Sequence, residues 1–199
     1  SAAGTGVIAG YAIWALNVGQ GTDTISSITD SQGNTGYVLG TVATRAGTNY
    51  DNLYVQPFYK IGPISGVTSV TVTWASVKAG ASYVVLHAVS GGSFGNDQVA
   101  TGSSAAPSAG TTTVPSGSIG LSATIIDDGF GGPPQFTAGS GWTILQNNGG
   151  GNQENASEYI QGASGSLTGD YGYSSSSGPW VASLIYFVDV TGVRIPVGT

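Results

Sequence analysis

Between residues 67 and 74 the chain alternates, with Val70, Val72 and Trp74 on one side and Ser69, Thr71 and Thr73 on the other. A period of two sends successive side chains to opposite faces of an extended chain, so this segment predicts a strand with one buried face. Residues 53–61 repeat the pattern through Leu53, Val55, Tyr59 and Ile61. Pro57 shares their face and lacks the N–H that a central strand donates, which predicts an edge strand or a bulge. Residues 81–89 and 180–188 are apolar on both faces. In the second, Trp180, Ala182, Leu184 and Tyr186 oppose Val181, Ile185 and Phe187, the pattern of a strand covered on both sides. No segment carries a 3.6-residue apolar stripe of helical length.

Turn chemistry separates these runs. Asp30-Ser31-Gln32-Gly33-Asn34 combines an Asx-turn residue with a glycine able to take positive φ, and predicts a hairpin. Longer breaks rich in Gly, Ser, Pro or Asn are expected at 90–96, 102–110, 129–134 and 147–152. None is long enough to separate domains, and the 34 glycines follow no fixed period. The regular spacing of short strands predicts an all-β fold, a single antiparallel β-sandwich of jelly-roll type.

Composition then narrows the setting. Asp, Glu, Lys and Arg make up only 7% of the chain, against about 25% in ordinary soluble domains, so hydroxyl, amide and glycine groups must cover the surface. Such a surface repels copies of itself weakly, which points to assembly outside the cell. The net charge is −6, and Arg45, Lys60, Lys78 and Arg194 are scattered, which argues against nucleic acid as a partner. There is no cysteine, so disulfides and thiolate metal sites are excluded. There is no methionine either, and the chain opens on Ser1-Ala2-Ala3-Gly4, small residues typical of a signal-peptide cleavage site; a secreted, processed chain is expected. The longest apolar stretch, residues 7–16, is shorter than the about 20 residues of a membrane-spanning helix.

Catalytic machinery is not expected. A Ser/His/Asp site would have to recruit His87, the only histidine, which lies inside the apolar run 83–89 and reads as a packed or rim residue; no G-x-S-x-G elbow accompanies it. Glycoside hydrolysis needs paired carboxylates, and Asp127 with Asp128, Glu154 with Glu158, and Asp170 are the available ones; they read as turn and surface acids. Asp30, Asn34, Asp51, Asp127 and Asp128 are hard oxygen donors suited to calcium, but no Asp-x-Asp-x-Asp-Gly loop gathers them, and the expectation is no metal and no cofactor. The glycine runs lack the lysine and following helix of a phosphate loop. For sugar recognition, Trp74 and Trp180 match core faces, leaving Trp142, Tyr171 and Tyr173 as platforms, with a glycan as the partner they would take. Asn155-Ala156-Ser157 is an N-x-S/T sequon after the polar stretch 147–154, and predicts a surface glycosylation site at Asn155.

The ends stand apart, so the chain divides into a first strand within 1–18, a sandwich over 19–189 and an extended segment over 190–199. In the first, Val7, Ala9, Tyr11, Ile13 and Ala15 line one face and Ile8, Ala12, Trp14, Leu16 and Val18 the other, with no charge between them. Two homes fit this pattern: a central strand of the chain's own sandwich, or insertion as a donor strand into a neighbouring copy through Val7, Ile8, Tyr11, Ile13, Trp14 and Leu16. The last segment, with Val193, Ile195 and Val197 alternating, is a second candidate for exchange.

The succession SITDSQGNTG, VTSVTVTW, a glycine-rich middle, SGWTIL, ASEYIQG and GPWVASLIYFV resembles jelly-roll modules of secreted prokaryotic surface proteins and phage tail proteins. In those modules another strand usually precedes the one that GVIAGYAIWAL resembles. In its neutral surface and apolar ends the chain also resembles archaeal extracellular thread and bundling-pilus subunits. That resemblance implies a β-rich subunit joined head to tail with copies of itself by donor-strand exchange, forming a filament at the cell surface. The alternatives are an adhesive carbohydrate-binding surface module or a virus or phage structural domain.

Overall fold

A computed structural model describes residues 5–63, 65–76, 82–129, 135–150, 152–174 and 177–194, with the backbone alone at 5, 82–88, 90, 150 and 189–194. Among the described residues every regular element is a strand.

The runs that are apolar on both faces lie mid-sheet. β13, Gly178–Arg194, is bordered by β7, Ser82–Ser104, and by β8, Ser108–Asp127. On its other side β7 borders β1, Thr5–Asn17, which is followed by β5, Tyr50–Pro63. Beyond β8 come β11, Gln153–Asp170, and β10, Thr143–Gly150. β3, Val38–Leu39, and β4, Ala43–Arg45, share the outer edge of β5. The result is one antiparallel nine-stranded sheet in the order β10-β11-β8-β13-β7-β1-β5-β3, with β4 beside β5.

This sheet doubles over to make a β-sandwich. β7 pairs with β1 through residues 82–90 and with β13 through 88–104, so it runs out of one layer into the other. Gly91 and Gly92 sit at the bend with φ of 74° and 103°, values that an L side chain rarely adopts, opposite a register shift in β13. Between the layers Val7, Ala9, Tyr11, Ile13, Ala15, Leu53 and Val55 meet Ile119, Leu121, Ala123, Ile125, Val181, Ile185 and Phe187 in the central core.

Each layer is covered again on its outer face. Over β1 and β5 lies a two-stranded sheet of β2, Ile25–Asp30, and β6, Val70–Trp74; Ile25, Ile28, Val70, Val72 and Trp74 close on Trp14, Leu16, Tyr54 and Phe58. Over the second layer, the far ends of β8 and β11, set off by register shifts, curl back together with the pair β9, Phe136–Thr137, and β12, Gly172–Tyr173. Leu167 and Trp142 thereby reach the face of Gly120, where an added Cβ would lie 2.9 Å from each.

The strand readings at 67–74 and 180–188 agree with β6 and β13, and both faces of β1 are buried. Other expectations are corrected. The Asx turn at Asp30 forms, with Asp30 Oδ1 accepting from the Gln32 and Asn34 amides at 2.9 and 3.0 Å and Gly33 at φ 73°. It closes no hairpin, because β2 pairs with β6 while β3 leaves for β5. β5 is not an edge strand along its length. Its partner is nevertheless broken where Pro57 lies, between β3 and β4: the Pro57 carbonyl accepts from Gly40 N at 2.9 Å, and its missing N–H faces the same gap. The expected break at 90–96 falls within β7, where glycine bends the strand without ending its ladder, whereas β10 ends at Gly150 and β11 begins at Gln153, in keeping with the break expected at 147–152. Residues 190–194 continue β13, whereas 195–199 lie outside the described residues.

Candidate functional site: the first strand and its connection

β1 is a strand because its thirteen residues hold no proline, are mostly apolar, and find an antiparallel partner on each side, β5 along its length and β7 over Gly6 to Trp14. All six predicted exchange residues lie on it and are buried: Val7, Tyr11 and Ile13 are 0% exposed in the central core, Trp14 and Leu16 at 0 and 2% under the β2–β6 cover, and Ile8 at 2%. The Tyr11 hydroxyl crosses the core to donate to the Leu121 carbonyl at 2.7 Å, and burial raises its pKa well above the usual phenol value. Trp14 stacks on Tyr54, with centroids 4.7 Å apart and rings nearly parallel. Of the two homes open to this segment, the structure takes the first: β1 lies between β5 and β7 of its own chain. Burying these six side chains contributes on the order of 10 kcal/mol at about 1.5–3 kcal/mol each, as much as the whole net stability of a typical domain. A body without β1 would therefore not hold, and the lane between β5 and β7 needs a β1 from some chain.

The connection that follows is exposed over residues 18–22, where it turns sharply. Gln20 N donates to the Asn17 carbonyl at 3.1 Å across a β-turn with Gly19 at φ 88°, and Gly21 follows at φ 71°. The turn is fastened from β5. Leu16 pairs with Asn52 and Asn17 with Tyr50, so Asp51 is the extra residue of a bulge and its side chain is re-aimed at the turn. Its Oδ2 accepts from the amides of Gly19, Gln20 and Gly21 at 2.6, 2.9 and 3.2 Å. Beside it, Asn52 Nδ2 donates to the Gly21 carbonyl at 3.1 Å.

No protein-family model, curated protein or solved structure matches this chain.

The same use of carboxylates recurs elsewhere. Asp97 accepts from Thr41 N at 2.5 Å, between β3 and β4. Asp127 Oδ2 accepts from Thr48 N and Asn49 N at 2.6 Å each, and its Oδ1 from Asn49 Nδ2 at 2.8 Å. Glu154 and Glu158, four apart on one face of β11, accept from the amides of Gln135 and Gly139, also four apart, at 3.0 Å each. Both glutamates are fully buried. Burial raises the Glu158 pKa to about 8 against the Gly139 hydrogen bond, with the Asp170 charge adding to the rise. Glu154 is raised for the same first reason, and Asp128 adds to it. Asp30 goes the other way: burial alone would raise it, but hydrogen bonds from Asn34, Tyr37 and Gln32 outweigh that and lower it.

The oxygen donors considered for calcium are thus drawn to separate places. Asp30 serves its own turn, Asp51 the first connection, Asp127 the turn before β5, and Asp128 accepts from the Tyr173 hydroxyl at 2.6 Å. Among the described residues no group of three or more His, Cys, Asp or Glu is placed to hold a metal ion.

Three surface expectations are corrected. Trp142, Tyr171 and Tyr173 are buried at 8, 2 and 7% exposure beneath the curled ends of β8 and β11, so they form no sugar platform. Asn155 is 1% exposed on β11, paired to β10 on one side and β8 on the other, and is not a surface glycosylation site. Glu154 and Glu158 are internal anchors, not surface acids. The His87 side chain lies outside the described residues. Among the described residues no helix is long and apolar enough to cross a membrane. A groove of about 420 Å³ opens beside the first connection, lined by Thr22, Ile25, Leu39, Asn52, Tyr54 and Gln56.

Proposed function

We propose that the protein is a structural subunit that joins copies of itself outside the cell, each copy giving its β1 to the lane between β5 and β7 of the next. The observation that carries this reading is the position of β1: inside the sheet between β5 and β7, and joined to β2 by a connection that is exposed over residues 18–22. A neighbour's β1 would meet the same two ladders and the same two cores, so exchange costs none of the contacts that hold the strand. Repeated in one direction, the contact builds a filament; closed between two copies, it builds a dimer. The charge-poor surface supports close lateral packing, and the missing cysteines do not weaken the reading, because β1 is held by burial and backbone pairing alone. The buried state of Trp142, Tyr171 and Tyr173 removes the aromatic platforms from the competing reading as a sugar-binding module.

A cysteine pair tests the proposal. Ala12 faces Gln56 across the β1–β5 ladder, a separation that a disulfide spans. With Ala12→Cys and Gln56→Cys, oxidation of concentrated protein should give a ladder of disulfide-linked multimers on a non-reducing gel. Monomers with an internal disulfide, even after unfolding and refolding at high concentration, would refute it.

A further inference from the structure

We propose that the Asp51 carboxylate is the latch that sets whether β1 stays in its own chain or passes to a neighbour. This rests on the exchange reading above and adds what controls it.

The closed and exchanged forms share the β1 ladders, the Tyr11 hydrogen bond and the Trp14 stack, so those interactions cancel however strong they are. A two-state equilibrium responds only to what differs between the states. What differs is the connection over residues 18–24. In the closed form it reverses direction through the turn at Gly19, and three successive amides converge on Asp51 Oδ2. To reach a neighbour these seven residues must straighten, spanning up to about 23 Å. Straightening opens the turn and withdraws amides from the carboxylate. Hydrogen bonds to a charged acceptor are the strong ones, and three on one oxygen make Asp51 the largest single contributor to the closed form of this connection. Asp51 can act so because it is the bulged residue of β5: a regular ladder would have turned its side chain across the sheet face, not towards the turn.

Gly19 and Gly21 belong to the same device. Neither has an atom within 4 Å of an added Cβ, so substitution there strains only the backbone, and the strain is relieved when the turn opens.

The experiment uses the Ala12→Cys, Gln56→Cys chain, equilibrated at high concentration and then oxidised, with the ratio of interchain to intrachain disulfide measured by non-reducing gel and peptide mass spectrometry. Asp51→Ala should raise that ratio by about tenfold or more. Gly19→Ala should raise it in the same direction. Asp97→Ala removes a similar carboxylate–amide fastening, one that holds Thr41 N and not the amides of the connection, and should leave the ratio unchanged. An unchanged ratio in both Asp51→Ala and Gly19→Ala overturns the latch, as does an equal rise in Asp97→Ala, which would mean general loosening. Should Asp51→Ala fail to fold, Gly19→Ala against Asp97→Ala decides alone. Interchain disulfide that is present but insensitive to these substitutions defeats the latch only; its complete absence in every chain defeats the exchange reading itself.

Discussion

Glu158→Gln should stabilise the protein at neutral and alkaline pH and not in mild acid. Burial raises the Glu158 pKa from its ordinary 4.5 to about 8. Below pH 4.5 the carboxyl is neutral in both folded and unfolded chains and costs nothing. As pH rises the unfolded chain ionises while the fold keeps the group neutral, so stability falls by about 1.4 kcal/mol per pH unit until the folded pKa is passed. That amounts to about 3 kcal/mol lost at pH 7 and about 5 kcal/mol above pH 8. Glutamine keeps an oxygen for Gly139 N but places an amide nitrogen where Glu158 Oε1 has no hydrogen-bond partner, at a cost of about 1–2 kcal/mol. The two effects give crossing curves. The variant is equal to or slightly below the native chain at pH 5 and about 2–3 kcal/mol above it at pH 8. Denaturant titrations followed by tryptophan fluorescence at about pH 5, 6, 7 and 8 read both curves. Native stability that stays flat or rises over this range, or parallel curves for the two chains, would refute the reasoning.

Trp14→Ala empties a site with 0% exposure and removes the Tyr54 stack, and should cost about 3–5 kcal/mol in thermal or denaturant unfolding. Gly120→Ala should cost about 1–3 kcal/mol by the same measurement, because its Cβ would lie 2.9 Å from both Leu167 and Trp142, which the curled strands hold in place.

What the sequence revealed depended on whether covering and covered residues are close in the pattern. β6 was legible because its alternation reports the face it buries, and β13 because it is apolar on both faces. β1 was legible as a strand with two buried faces, but such a pattern says only that both sides are covered, not by which chain. The burial of Trp142, Tyr171 and Tyr173 was not legible: they sit among Gly, Ser and Asp, and only the register shifts that curl β8 and β11 cover them. Asn155 misled for a related reason. Gln153, Asn155 and Ser157 alternate as an outward face would, yet all three are buried, and the amide of Asn155 finds no partner on either atom. Asp51 could not be singled out, since a bulge depends on the register between Leu16 and Asn52, which local pattern does not encode.

The carboxylates explain how so few charges suffice. A chain with 34 glycines has connections that resist ordering, and a hydrogen bond from a backbone amide to a carboxylate contributes about 1.5–3 kcal/mol, more than a neutral one. Asp30, Asp51, Asp97 and Asp127 are used in this way, four of the ten acids that stand beside only four bases. The buried glutamates respond to pH in the opposite sense from Asp30. The lowered pKa of Asp30 means that its contribution is present above the ordinary 3.8 and is lost only as pH falls through its folded value. Glu154 and Glu158, both raised, lose stability as pH climbs from 4.5. Together they place greatest stability at about pH 4–4.5, between the two losses. An exposed fastening such as Asp51 and a buried one such as Glu158 thus do different work: in the exchange proposed above, the first governs the connection that would open, and the second holds a segment that would stay closed in either form.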